Sequence, residues 1–357
     1  MKPRSQLDEG APGAMRRCSS VIFAVLLVEL LTGIPAWADF SFSVTSDQRN
    51  YTGAGVYNHR DYFLGVVLAL RERGAGAFMI SPGDIDPPEG TKWTIESLLG
   101  ADYQWYPVVG NHELPGQGYE SYRGQNLEWL RNYNYDLNGV NVPPDIVNPG
   151  PTGCPETTFS FDFDNAHFVI LNEYCDMDGD SATKGDIPDH LFDWLENDLA
   201  ATKQQHIFVF GHEPALPQPD ADNGRERHMS DSLNAYPANR DRFWSLLKRN
   251  AVVAYFCGHT HNYSAVQIDG VWQLDSGHAR GRADTGAPST FLVVKVAGGK
   301  VHYSAYRDNH DGIYDYDDIV HTGVLKDSSV PASLAVPLLL LFAFLFYSFL
   351  FVRKRLH

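Results

Sequence analysis

Short apolar runs rich in aromatic and β-branched residues recur along the chain, each broken by a loop that starts at a polar residue or glycine. Five of them, Phe40 to Val44, Ala77 to Ile80, Tyr106 to Val109, Ile207 to Phe210 and Val252 to Cys257, have the length and composition of buried strands. Between them the period changes to that of a helix. Tyr57 to Arg73 places Tyr62, Val66, Val67 and Leu70 on one side. Pro188 to Lys203 sets Leu191, Trp194, Leu195 and Leu199 at i, i+3, i+4 and i+8, with Pro188 suited to a first turn, and Arg240 to Asn250 leads into the last of the five runs.

The runs Thr157 to Asp164 and Ala166 to Leu171 meet at Asp164-Asn165, residues that tolerate the positive φ of a two-residue hairpin turn. Pairing Phe163 with Ala166 and counting outward opposes Cys154 to Cys175 at a non-hydrogen-bonded position, where a Cα separation of about 4.5 Å lies in the disulfide range. Pro155 could distort that end of the ladder. Cys257, inside an apolar strand, reads as a core thiol. Later segments, Ser264 to Ile268, Val271 to Leu274, Thr290 to Val296 and Lys300 to Tyr306, are β-rich and closely linked, which suggests a meander packed on the first sheet. The stretch 308–331 is polar and Asp-rich and reads as a linker.

Glu113 to Pro155 is the least patterned region. Its Tyr119, Tyr122, Trp129, Tyr133 and Tyr135 would form either a substrate-shaping lid or a surface excursion with its aromatics buried on the scaffold. Asp176, Asp178 and Asp180 alternate as at the start of a calcium loop, but the closing Glu is absent, so a solvated acidic turn is expected.

Chemistry enters where the strands end. Ser46-Asp47, Gly83-Asp84, Gly110-Asn111-His112-Glu113, Gly211-His212 and Gly258-His259-Thr260-His261 each follow one of the five runs, so carboxylate, amide and imidazole groups fall on strand-end loops, where α/β sheets build their sites. Two divalent cations about 3.5–4 Å apart need a bridging oxygen ligand and neutral nitrogens that fill positions without adding charge. Asp84 can be the bridge. Asp47 and His261 would complete one ion, and Asn111, His212 and His259 the other. The glycines are expected where backbone turns sharply beside a ligand.

In these residues the chain resembles the calcineurin-like metallophosphoesterases, whose motifs run D-x-H, G-D, G-N-H-E or G-N-H-D, G-H and G-H-x-H. The resemblance covers roughly Phe40 to Arg307. It implies an α/β sandwich of two packed mixed β-sheets flanked by helices, a domain over 39–307, and two metal ions of Mn, Fe or Zn type. It further implies hydrolysis of a phosphoester bond by a metal-activated bridging hydroxide on a small phosphorylated substrate, with His112 as proton donor to the leaving group. Glu113 is expected to orient a neighbour. Two positions depart from relatives. Pro87 stands where purple acid phosphatases carry an iron-ligating Tyr, and Arg49 where many members have a metal-binding His. A guanidinium offers no lone pair, so Arg49 either reaches a phosphoryl oxygen or pairs with a surface carboxylate. A diester or nucleotide pyrophosphate hydrolase, and a non-catalytic binding protein on a decayed scaffold, are the competing readings.

A formal charge of −16, with no basic cluster of five or more residues, argues against nucleic-acid binding. Both ends carry targeting patterns. Arg16 and Arg17, the apolar stretch that follows, and Ala36-Trp37-Ala38 read as a signal peptide over 1–38. Ala332 to Val352 is uncharged and, as a helix, spans about 30 Å, the thickness of a bilayer core. The basic tail 353–357 behind it would stay cytoplasmic, leaving the catalytic domain outside. The tail also resembles a bacterial PEP-CTERM sorting signal, although Val330-Pro331-Ala332-Ser333 departs from its Pro-Glu-Pro. Sequons at Asn50 and Asn262 lie so near the ligands that a glycan would crowd them, which favours a bacterial, exported, membrane-anchored protein.

Overall fold

The computed structural model describes residues 39–48, 60–114, 123–134, 148–175, 184–281, 286–309 and 316–328. The expected signal peptide, Arg49, the acidic turn at Asp176 to Asp180, Tyr119, Tyr122, Tyr135, and the apolar and basic segments at 332–352 and 353–357 lie outside them. No helix among the described residues is long and apolar enough to cross a membrane.

Period-two patterning gives two mixed sheets. The first runs β13 (Ile319–Asp327), β12 (Lys300–Asp308), β11 (Ser289–Ala297), β1 (Phe40–Val44), β2 (Phe78–Ser81), β3 (Gln104–Pro107). The second runs β4 (Asn148–Pro149), β5 (Phe159–Phe163), β6 (Ala166–Ile170), β7 (His206–Phe210), β8 (Ala254–Cys257), β10 (Val271–Ser276), β9 (Tyr263–Ile268). Phe42, Val44, Phe78 and Ile80 from one sheet meet Phe168, Ile170, Phe208, Phe210 and Phe256 from the other in an aromatic core. Phe42 lies edge-on to Phe168 at 5.2 Å and stacks on Phe78 at 5.6 Å. Aromatic pairs in such geometry add about 0.5–1.5 kcal/mol each beyond burial.

The alternate residues of the same strands face the helices. Val169, Ile207, Val209 and Tyr255 pack under α4 (Asp189–Ala201) and α5 (Pro237–Arg249), to which Leu191, Leu195, Leu199, Phe243, Leu246 and Leu247 contribute. Met79, Trp105 and Phe291 pack under α1 (Phe63–Arg73), whose Phe63, Val66, Val67 and Leu70 face inward, and α2 (Pro88–Leu99). This is the expected sandwich of two mixed sheets flanked by helices.

Three expectations change. The later β segments do not form one meander: β9 and β10 join the second sheet, with β10 parallel to β8, while β11 and β12 join the first beside β1. The stretch read as a linker contributes β13, which pairs with β12 from Ile319↔Arg307 to Asp327↔Lys300. Its acidic flanks hid a strand with a single buried residue, Leu325, and exposed residues at alternate positions, which leaves little apolar signal. In the unpatterned region, α3 (Arg123–Asn134) brings Trp129 and Tyr133 onto Trp105, and the Tyr133 hydroxyl donates to the Trp105 carbonyl at 3.0 Å. Those two aromatics therefore serve the scaffold.

The hairpin register is the one expected, from Phe163↔Ala166 to Phe159↔Ile170. The Cys154–Cys175 disulfide forms, with a Cα separation of 6.0 Å. It lies beyond the ladder, because Cys154 belongs to a turn in which Thr157 and Thr158 donate to its carbonyl, and so the close spacing of a paired position is not reached.

Candidate metal centre

Each sheet delivers one kind of ligand to the same edge of the sandwich. The first sheet supplies oxygens: Asp47 after β1, Asp84 after β2 and Asn111 after β3. The second supplies nitrogens: His212 after β7, and His259 and His261 after β8. Asp47, Asp84 and His261 are all buried, and their ligand atoms lie within 4.8 Å of one another. On the other side, Asn111 Oδ1 is 3.1 Å from His212 Nε2, His259 Nδ1 is 3.2 Å from Asn111 Oδ1, and the two imidazole nitrogens are 3.2 Å apart. Asp84 joins the groups, its Oδ1 standing 3.4 Å from His212 Nε2.

These donors fit a pair of divalent cations. His212 Nδ1 is 2.8 Å from the Pro82 carbonyl, which can only accept, so Nδ1 carries a proton and in the neutral, metal-ligating form of the ring the Nε2 lone pair faces Asn111 Oδ1. Lone pairs converging at such spacing repel unless a cation lies among them, and neighbouring donors about 3 Å apart suit metal–ligand bonds of about 2.1 Å. Burial opposes the charged form of His212, but Asp84 and then Asp47 outweigh it and push the imidazole up to about 9. Both of these carboxylates belong to the candidate ligand set, so the site favours positive charge. For Asp47, burial works against ionisation, and His261 overcomes it to hold the carboxyl below its usual range.

Four of the candidate ligands have strained backbone. Asp47, Asp84, His259 and His261 all have φ between 53° and 69°, a left-handed conformation that costs roughly 1 kcal/mol or more for a residue with a side chain. The glycines before them were expected for their turning ability, yet only Gly83 uses it, at φ 77°. Space is the reason for the others. A Cβ on Gly110 would lie 2.3 Å from Asp84 N, one on Gly211 2.4 Å from Glu173 Oε1, and one on Gly258 2.4 Å from Asp47 Oδ2.

Buried carboxylates hold the loops from behind. Glu113 accepts the backbone N–H groups of Asp84 at 3.0 Å, Ile85 at 2.7 Å and Gly110 at 2.7 Å, the orienting role expected of it. Burial and the Asp84 charge raise its pKa well above the carboxylate range. Asp275, raised chiefly by burial, receives Thr260 Oγ1 at 2.5 Å and Gly277 N at 3.0 Å. Glu173, pushed up to about 8 by burial and then by Glu213, receives the backbone of His212 at 2.9 Å. Sequence reading found Glu113 because it belongs to a motif. It missed Glu173 and Asp275, which stand alone in the chain.

His112 follows Asn111 and donates its backbone N–H to Asp84 Oδ1 at 3.0 Å, while its ring Nε2 is 3.7 Å from Asp84 Oδ2. The ring is thus beside the centre without belonging to either ligand group. A further histidine went unnoticed in the sequence: His228 lies with its ring 4.2 Å from that of His259, and its Nδ1 is 2.8 Å from Asp231 Oδ2. Asn262 of the second sequon is buried, and its Nδ2 donates to the Arg225 carbonyl.

Residues 57–263 match the family model described as calcineurin-like phosphoesterase, a stretch that holds every expected ligand except Asp47. No curated protein matches the chain. Among solved structures, the purple acid phosphatase from yellow lupin (Lupinus luteus) seeds is similar in fold, with a TM-score of 0.53 and 14% identity over 80% of this chain and 54% of that one. The chain thus spans about half the length of the lupin enzyme. Weaker likenesses are to PhoD, with a TM-score of 0.49 and 13% identity over 82% and 73%, and to GAP50, the anchor in the inner membrane complex of Plasmodium, with 0.46 and 14% over 81% and 90%.

Proposed function

Because the chain belongs to the calcineurin-like phosphoesterase family, we propose that it is a metal-dependent hydrolase of phosphoester bonds in a small phosphorylated substrate. The observation that carries this reading is the meeting of Asp47, Asp84 and His261 with Asn111, His212 and His259 around shared space. A bound pair of cations, of Mn, Fe or Zn type, would supply charge to the phosphoryl oxygens and an acidified water as nucleophile. Asp84 would hold both ions, with Asp47 and His261 on one, and Asn111, His212 and His259 on the other. His112 stands at the rim, where an imidazolium can deliver a proton to a departing alkoxide. Arg49 is kept as a contact to the phosphoryl group, its fork matching two oxygens.

We place the catalytic domain outside the cytoplasm, delivered by the segment 1–38 and anchored by 332–352. Support comes from the apolar patterning of those segments and from the formed Cys154–Cys175 disulfide, which suits an oxidising compartment.

The test is a screen of metal-stripped protein reloaded with Mn, Fe or Zn against phosphomonoesters, phosphodiesters and nucleotides. Hydrolysis of one class that returns only with metal is expected. Two bound ions without turnover of any class would favour a binding protein on the same scaffold. Undiminished hydrolysis by metal-free protein would overturn the mechanism.

A further inference from the structure

His212 is held at two points. Its ring is fixed through Nδ1 by the Pro82 carbonyl, and its backbone by a side chain from the loop after β6. Glu173 Oε2 accepts the N–H of His212 at 2.9 Å and that of Glu213 at 2.6 Å, while Glu173 Oε1 is 2.5 Å from the Tyr255 hydroxyl. The Tyr255 hydroxyl in turn donates to the Glu213 carbonyl at 2.6 Å, so one closed ring of contacts surrounds the peptide that carries the histidine. Gly211 makes the approach possible, since a Cβ there would strike both Glu173 Oε1 and the Tyr255 hydroxyl at 2.4 Å.

The segment that bears Glu173 is itself tightly tied. Leu171 N donates to the Phe210 carbonyl, Asn172 N to Thr158 Oγ1, Asp186 N to the Glu173 carbonyl, and Cys175 is bonded to Cys154. Glu173 is wholly buried and touches none of the ligand atoms, yet it spans the gap from β6 to the loop after β7.

We infer that Glu173 is a positioning residue for one of the two cations: by clamping the His212 peptide it sets the ion held by Asn111, His212 and His259, and leaves the ion held by Asp47 and His261 to its own loops. This rests on the two-cation reading above. Gln at this position keeps an oxygen for both N–H groups and turns an amide toward the Tyr255 hydroxyl. Ala removes the clamp, and Asp is one methylene too short to reach both partners.

Wild type, Glu173→Gln, Glu173→Asp and Glu173→Ala are to be titrated with Mn(II) as full-length protein, with stoichiometry by calorimetry and ion coupling by electron paramagnetic resonance. Wild type and Glu173→Gln should bind two equivalents with a spin-coupled signal. Glu173→Asp and Glu173→Ala should hold the first equivalent unchanged and lose about 10–100-fold in affinity for the second, the usual effect of removing an outer partner, with an isolated six-line signal at one equivalent. Unfolding of the metal-free proteins separates a general loss of structure, because Glu173→Asp should melt near wild type. Two equivalents with wild-type affinities in both Glu173→Asp and Glu173→Ala would overturn the inference, as would equal weakening of both ions. A wild type that never binds a second ion would instead remove the two-cation reading.

Discussion

The backbone N–H of His259 donates to Asp47 Oδ2 at 2.9 Å, so a ligand of one expected ion is built around a ligand of the other. Asp47 spends one carboxylate oxygen on the opposite sheet and turns Oδ1 toward His261 Nε2, 3.3 Å away. The loops after β1 and β8 are therefore a single unit.

Asp84→Asn should abolish turnover by three or more orders of magnitude while leaving the fold intact, because the residue is shared by both ligand groups. Metal analysis of the purified variant is expected to show less than one tightly held ion per chain. Asp47→Asn should weaken chiefly the ion it shares with His261, and to a smaller degree the one held by His259. Two tightly held ions in Asp84→Asn would contradict the bridging assignment.

His112→Ala should slow alkyl phosphate hydrolysis by about 10²–10⁴, the usual worth of a placed acid, and p-nitrophenyl phosphate hydrolysis far less, since nitrophenolate leaves without a proton. Equal losses on both substrates would give His112 another role.

Far from the metal edge, His167 bridges Asp162 Oδ1 at 2.6 Å and Asp198 Oδ2 at 2.9 Å. Burial opposes its charged form, but the hydrogen bond and charge of Asp198, then those of Asp162, raise its pKa above 6.5. Burial likewise opposes ionisation of Asp198, and His167 more than offsets it, so that carboxyl is lowered below 3.8. The sign follows from linkage. The His167 contribution is complete below its unfolded pKa near 6.5 and fades as pH rises through the higher folded value, whereas the Asp198 contribution is complete above about 4 and fades on acidification through the lower folded value. Stability from this trio should therefore be greatest between about pH 4 and 6.5. His167→Ala should cost roughly 3 kcal/mol at pH 5.5 and noticeably less at pH 9, measured by urea unfolding.

Replacing Cys154 and Cys175 by Ala should lower stability by about 3 kcal/mol, given a sequence separation of 21. Chemical unfolding with and without reductant checks this, and reductant should leave the double variant unaffected.

The fold was legible where side chains repeat with the period of their element. Phe168 and Ile170 facing the core, Val169 facing the helices, and the hairpin register all follow from alternation. The candidate ligands stood out because each lies just past a strand in a short motif. What stayed hidden depends on neighbours distant in the chain. Val320 and Val324 of β13 are exposed on an outer strand and leave no apolar stripe. Glu173 and Asp275 gain their meaning only once β6 and β10 are placed beside the ligand loops. The glycine before His212 was visible, but its cause was not, because the atoms it avoids belong to Glu173 and Tyr255.

The division of ligands into an oxygen sheet and a nitrogen sheet sets an order in time. Neither half alone offers more than three of these donors, and the six fall on five loops that come together only when β1 to β3 and β7 to β8 are laid face to face. Tight capture of an ion pair would therefore require both layers to be in place. An emerging chain would be spared from trapping a wrong metal early, and ion uptake followed in a refolding experiment would mark the moment at which the two layers first meet.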